Sequence, residues 1–132
     1  MGTTSVELKF LAWSVVLGII HVLIAAQLGT QQRGLMWNAG PRDGTPAPLT
    51  GYAARADRAL KNFLETFPFF AAVVLGALAT GRTSAATALG VQLYFWARVA
   101  YLPIYLAGIP FLRTLVWIVS LWGLLKVMWA LF

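Results

Sequence analysis

The sequence predicts an all-α integral membrane protein, a four-helix bundle of up-down topology, on three observations: the apolar share of the chain, the spacing of its helix breaks and the placement of its charges. Of 132 residues, 60% are hydrophobic and 11% charged, and the mean hydropathy is +0.76. A water-soluble surface needs far more polar side chains than this, so lipid is the solvent for most of the chain. Roughly twenty apolar residues cross a bilayer as a helix, which leaves room for about four crossings and one modest loop. The chain is therefore expected to be a single domain, 1–132, with no separate soluble unit.

The first apolar run covers about residues 6–28, with Glu7 and Lys9 at its start and only His21 and Gln27 as later polar side chains of any size. It is longer than the apolar core of a secretory signal peptide and lacks a clear small-x-small cleavage site, so it reads as a span. Residues 29–54 change to Gln, Arg, Asn, Gly, Asp and Pro, with Pro41, Pro46 and Pro48 close together. Helix is not expected to persist through such a segment, which reads as the one substantial loop. A second span at about 56–80 ends in Gly81-Arg82-Thr83-Ser84, and a third follows at about 85–106. The short turn between them makes the two antiparallel neighbours. Ala107-Gly108-Ile109-Pro110 then separates the third span from a fourth at about 111–131, which carries Trp117, Trp122 and Trp129.

The net charge of +6 lies beside or inside these apolar runs and forms no solvated stripe, which argues against a nucleic-acid partner. Arg33, Arg42, Arg55, Arg58 and Lys61 cluster at the first loop and its exit, and Arg113 lies at the third turn; Lys9, Arg82 and Lys126 fall on the other side. The positive-inside rule then puts the 29–54 loop and the third turn in the cytoplasm and both termini opposite. Arg33, Arg42 and Arg55 read as partners of anionic lipid headgroups. Cysteine is absent, which excludes disulfides, thiolate metal sites and a cysteine nucleophile, so any thiol chemistry must come from a bound cofactor.

Charged residues within a span cost roughly 2.5–3.5 kcal/mol each, and two spans carry them. On the second, Arg55, Arg58, Lys61, Asn62 and Glu65 recur at helical spacing on one face. On the third, Tyr94, Arg98, Tyr101 and Tyr105 form another stripe. Two such stripes imply one shared polar cleft. Glu65 and Arg98 each lie roughly 12 Å deep at 1.5 Å per residue, which makes them expected partners. The half of the molecule holding Arg55, Arg58, Lys61, Arg98 and Arg113 has only Asp57 and Glu65 against it, so the cleft is cationic and its guest anionic.

The run Arg55-Ala56-Asp57-Arg58-Ala59-Leu60-Lys61-Asn62-Phe63-Leu64-Glu65-Thr66, then Ala97-Arg98-Val99-Ala100-Tyr101 with Tyr105, then Gly108-Ile109-Pro110 and Arg113-Thr114, resembles the second helix, third helix and start of the fourth in the MAPEG family, the membrane-associated proteins of eicosanoid and glutathione metabolism. The resemblance implies an obligate homotrimer with glutathione bound as cosubstrate between subunits. It also implies a lipophilic electrophile arriving from the bilayer. It makes Arg58, Lys61, Asn62, Glu65, Arg98, Tyr101 and Tyr105 glutathione-binding positions, with Lys61 where some members have arginine and Tyr101 where some eicosanoid-forming members have histidine. Arg113 matches the arginine that supports the glutathione thiolate, and Thr114 takes the place of a neighbouring serine. A bacterial-type, inner-membrane transferase or peroxidase is the expected activity, and no metal is expected.

Two alternatives stand beside it: a non-catalytic lipid-binding or scaffold member of the same fold, and a small multidrug-type exporter. The exporter would need a free membrane carboxylate, whereas Glu65 is expected among arginines. His21 is expected to make an interhelical hydrogen bond. Pro68 and Pro103 fall within spans, the fourth-span aromatics read as interface anchors, and the glycine pairs 76/81 and 18/29 give no close-packing motif.

Overall fold

The computed structural model describes residues 5–132, and its regular structure there is all helical, with helices α1 (Val6–Arg33), α2 (Leu35–Ala39), α3 (Gly51–Ala79), α4 (Ala85–Ala107) and α5 (Pro110–Trp129). Three of them, α1, α3 and α5, are long and apolar enough to cross a membrane. The segment expected as the third span, α4, falls outside that group because Gln92, Arg98 and three tyrosines dilute its hydropathy. Those same polar residues explain its position. It packs against all three other long helices, and Thr87, Tyr94, Arg98 and Tyr101 on it are buried.

The helix ends follow local chemistry. Ser5 caps α1 by accepting from the Leu8 amide at 3.1 Å. Ser84 and Thr87 form a reciprocal capping box at the start of α4, which satisfies amides that a helix start leaves free. Gly108, at φ 76°, closes α4 in the left-handed conformation that a side chain disfavours. Pro110 then starts α5 at a position where its missing N–H costs nothing.

The expected 29–54 loop is shorter in the structure. α1 runs on to Arg33, the short α2 follows, and α3 begins at Gly51, before the expected span. Glutamine and arginine are good helix formers, and the prolines at 41, 46 and 48 interrupt helix only around themselves. Arg33 Nε donates to the Ala47 carbonyl at 2.8 Å, and Arg42 donates to the Asn38 carbonyl through Nε and Nη2. Arg55 Nη1 donates to the Leu106 carbonyl at 3.1 Å. The three arginines read from sequence as headgroup partners thus hold backbone carbonyls. Pro68 and Pro103 both sit inside unbroken helices.

A close approach of α4 and α5 was not legible from the glycine pairs considered in the sequence. It rests on Gly90 and Gly123: a Cβ on Gly90 would fall 2.7 Å from the Gly123 carbonyl oxygen, and one on Gly123 2.5 Å from that of Gly90. Backbone-to-backbone contact of this kind supplies dispersion attraction where the hydrophobic effect gives none, inside lipid. The two glycines lie on different helices, so no single-helix motif announces them.

Gly123→Ala is expected to destabilise the detergent-solubilised protein by about 1–3 kcal/mol through overpacking. Gly29→Ala, where an added Cβ meets nothing within 4 Å, should leave stability unchanged or raise it. Thermal unfolding followed by circular dichroism checks both.

Candidate functional site

The α3–α4 contact is built around one guanidinium. Arg98 is fully buried, its Nη1 donates to Asn62 Oδ1 at 2.8 Å, and its Cζ lies 4.3 Å from the centre of the Tyr101 ring and 5.4 Å from that of Phe63. Its Nε and Nη2 have no partner among the described residues. The expected Glu65–Arg98 pair is not formed. Glu65 is exposed on α3, three residues beyond Asn62, and the ion pair present among the described residues is Lys61–Asp57 at 3.0 Å. Equal depth along two helices does not ensure that two side chains meet; rotation about each axis decides it.

Two turns beyond Arg98 on α4, Tyr105 gathers two more cations. Its hydroxyl accepts from Arg58 Nε at 3.1 Å, and the Cζ of Arg113 on α5 stands 4.9 Å from its ring centre. Tyr101 and Tyr105 lie 5.5 Å apart, centre to centre. The face of an aromatic ring is negative, so the two tyrosines attract the guanidinium groups without neutralising them.

These groups border a cleft of about 270 Å³ lined by Asn62, Tyr101, Tyr105, Arg113, Thr114 and Trp117. Five residues chosen from sequence therefore converge: Asn62, Tyr101 and Tyr105 with Arg113 and Thr114. Arg58 stands at the edge through Tyr105. Lys61, 69% exposed and held by Asp57, points outside, as does Glu65. Arg98 is behind the cleft wall and reaches it only through Asn62 and Tyr101. Trp117 was missed, although it follows Arg113 by four residues and so shares its face of α5.

The model of the MAPEG family matches residues 10–132, nearly the whole chain. The chain belongs to the MAPEG family. Searches of curated proteins and of solved structures each returned no match. As a MAPEG member with three helices suited to cross a bilayer, it is an integral membrane protein of a family concerned with eicosanoid and glutathione metabolism. Membership also sets aside the small multidrug-type exporter.

Two other buried polar groups lie away from the cleft of this MAPEG chain. Among the described residues neither ring nitrogen of His21 has a partner, and the ring stacks on Phe63 at 4.9 Å, so ring packing stands there in place of the expected interhelical hydrogen bond. Glu7 is 5% exposed and accepts from Thr87 Oγ1 at 3.0 Å. It joins the starts of α1 and α4.

Because Arg98 depends on Asn62 and not on Glu65, Asn62→Ala is expected to cost about 1.5–3 kcal/mol, the scale of a hydrogen bond to a charged group. Glu65→Gln should leave the unfolding midpoint unmoved. Equal losses in thermal melts of the two variants would restore the carboxylate as the arginine's partner.

Proposed function

We propose that this MAPEG member is a membrane-bound glutathione-dependent transferase or peroxidase acting on lipophilic electrophiles. The observation that carries the reading is the cleft: Arg113 and Thr114 from α5 face Asn62 from α3 and Tyr101 and Tyr105 from α4, with no acid in the lining. Such a surface suits an anion. Glutathione brings two carboxylates, one ammonium and a thiol. Arg58 and Lys61 are the groups for its carboxylates, Glu65 for its ammonium, and Arg113 for its sulfur. A free thiol titrates at about 8.5, and a guanidinium in a partly desolvated site favours the thiolate. In conjugation the thiolate sulfur then forms a bond to an electrophilic carbon of a lipophilic substrate, and the leaving group departs with the bonding pair.

The exposure of Arg58, Lys61 and Glu65 supports assembly of the four long helices as a homotrimer with the site between subunits. Charged side chains at the depth of a span are costly against lipid, and a neighbouring copy would cover them. The cleft of one chain, at about 270 Å³, is also small for a tripeptide, since small-molecule sites usually offer roughly 300–1,000 Å³. The positive-inside count supports a bacterial inner-membrane orientation with the 29–54 segment in the cytoplasm. A non-catalytic lipid-binding or scaffold role on the same fold is the competing reading, and binding of glutathione discriminates.

Titration of the detergent-purified protein with glutathione, followed by thiolate absorbance, is expected to saturate, and Arg113→Ala to abolish most of the thiolate signal. A flat titration of the parent protein rejects the transferase and leaves the scaffold. A single cysteine at Leu64, which is half exposed beside Glu65, should crosslink between copies in native membranes if the trimer forms. The chain has no cysteine of its own to confuse the result.

A further inference from the structure

We propose that the groove between the start of α4 and the last turns of α5 binds one anionic phospholipid, an acyl chain lying against Trp122 and Trp129 and the headgroup phosphate on Lys126 and Arg82. The groove encloses about 440 Å³ and is lined by Ala86, Trp122, Leu125, Lys126, Met128 and Trp129. It lies at the end of the molecule opposite the candidate active site, where α1 and α4 begin and α3 and α5 finish.

Its chemistry is that of an amphiphile with one negative charge. Five of the six lining residues are apolar or aromatic, and the sixth is a lysine whose ammonium stands 5.6 Å from the centre of the Trp122 ring. Lys126 has no ion-pair partner among the described residues. Its place in the last turn of α5 suits the helix dipole, but that accounts only for the charge and not for the apolar groove it overhangs. Arg82, exposed on the α3–α4 turn, donates through Nη1 to the Leu131 carbonyl at 3.2 Å, which tethers a second cation just past the end of α5. Tryptophans exposed by more than half beside a snorkelling lysine are what a membrane boundary selects.

The distribution of acids favours a lipid over a second copy of this chain. The sequence has four acidic residues. Glu7 is the one at this end, and it is buried against Thr87. Asp43 and Asp57 belong to the α2–α3 connection and the start of α3, at the other end, and Glu65 lies at the middle of α3. A copy related by rotation about the membrane normal therefore has no exposed acidic side chain among the described residues to offer Lys126 at this level. A phosphodiester does.

The test is native mass spectrometry of the full chain in detergent with equal amounts of phosphatidylglycerol and phosphatidylcholine carrying the same acyl chains. One phosphatidylglycerol per chain is expected to be retained in preference. Lys126→Gln and Arg82→Gln are each expected to lower that preference by roughly five-fold, the effect of one basic residue near an anionic surface, and together to bring it to parity. Ala86→Trp, which fills the groove and leaves both cations, should remove retention of either lipid. Should it unfold by circular dichroism, Leu125→Trp fills the same groove from its other wall. Equal retention of the two lipids by the parent chain overturns the proposal, as does a preference that survives the double substitution or the filled groove. Efficient disulfide crosslinking of a Leu125→Cys chain in native membranes also overturns it, since the occupant is then another subunit. None of these readings involves glutathione, so they stand or fall apart from the proposed transferase.

Discussion

Three guanidinium groups meet in this molecule with no carboxylate bonded to any of them, and aromatic rings hold them there. Arg98 stacks on Tyr101, Arg113 stands over Tyr105, and Arg58 donates to the Tyr105 hydroxyl. Like charges repel, and a low-dielectric interior amplifies the repulsion. The arrangement persists because each cation has its own polarisable face or oxygen, and because Asn62 fixes the most buried one. The α3–α4 register follows from that bond. It brings Asn62, Tyr101 and Tyr105 to one level, so that Arg113 and Thr114 at the start of α5 complete a cleft instead of facing separate neighbours.

Burial of a cation behind the cleft and not within it gives Arg98 a role different from direct binding. It meets the cleft-lining residues through one hydrogen bond to Asn62 and by stacking on the Tyr101 ring, so its charge biases the site while its bulk sets the spacing of two helices. The unbonded Nε and Nη2 leave that charge only partly compensated inside the chain. A cleft with such a wall favours an anion whatever the anion is. This electrostatic bias is common ground between the catalytic and the non-catalytic readings of the family fold.

The two ends of the molecule divide polar chemistry between them. At one, Arg113 lines a cleft with Arg58 at its edge, and charged groups on α3 look outward; at the other, Glu7 turns inward and Lys126 overhangs an apolar groove. Between them the surface is apolar, with residues such as Ile19, Leu23, Leu115 and Ile118 exposed on α1 and α5. In water such a surface would drive association, whereas in hydrocarbon it needs no cover. Close packing must then come from shape, and the Gly90–Gly123 crossing supplies it.

Composition, run lengths and breaks determined the helical class, the breaks near Gly81 and Gly108, and the membership of most of the cleft, because those features depend on solvent and on spacing along one helix. Asn62, Tyr101 and Tyr105 were legible since α3 and α4 each show a polar face in their own sequence, whereas Arg113 and Thr114 were legible through the resemblance to the family. Rotation of one helix against another has no such signature. Only the tertiary structure decided that Arg98 bonds Asn62 and leaves Glu65 outside, that His21 stacks on Phe63, that Glu7 is buried against Thr87, and that two glycines on separate helices touch. Each of those outcomes depends on how neighbouring surfaces interlock, which is a property of the packed set and of no single segment.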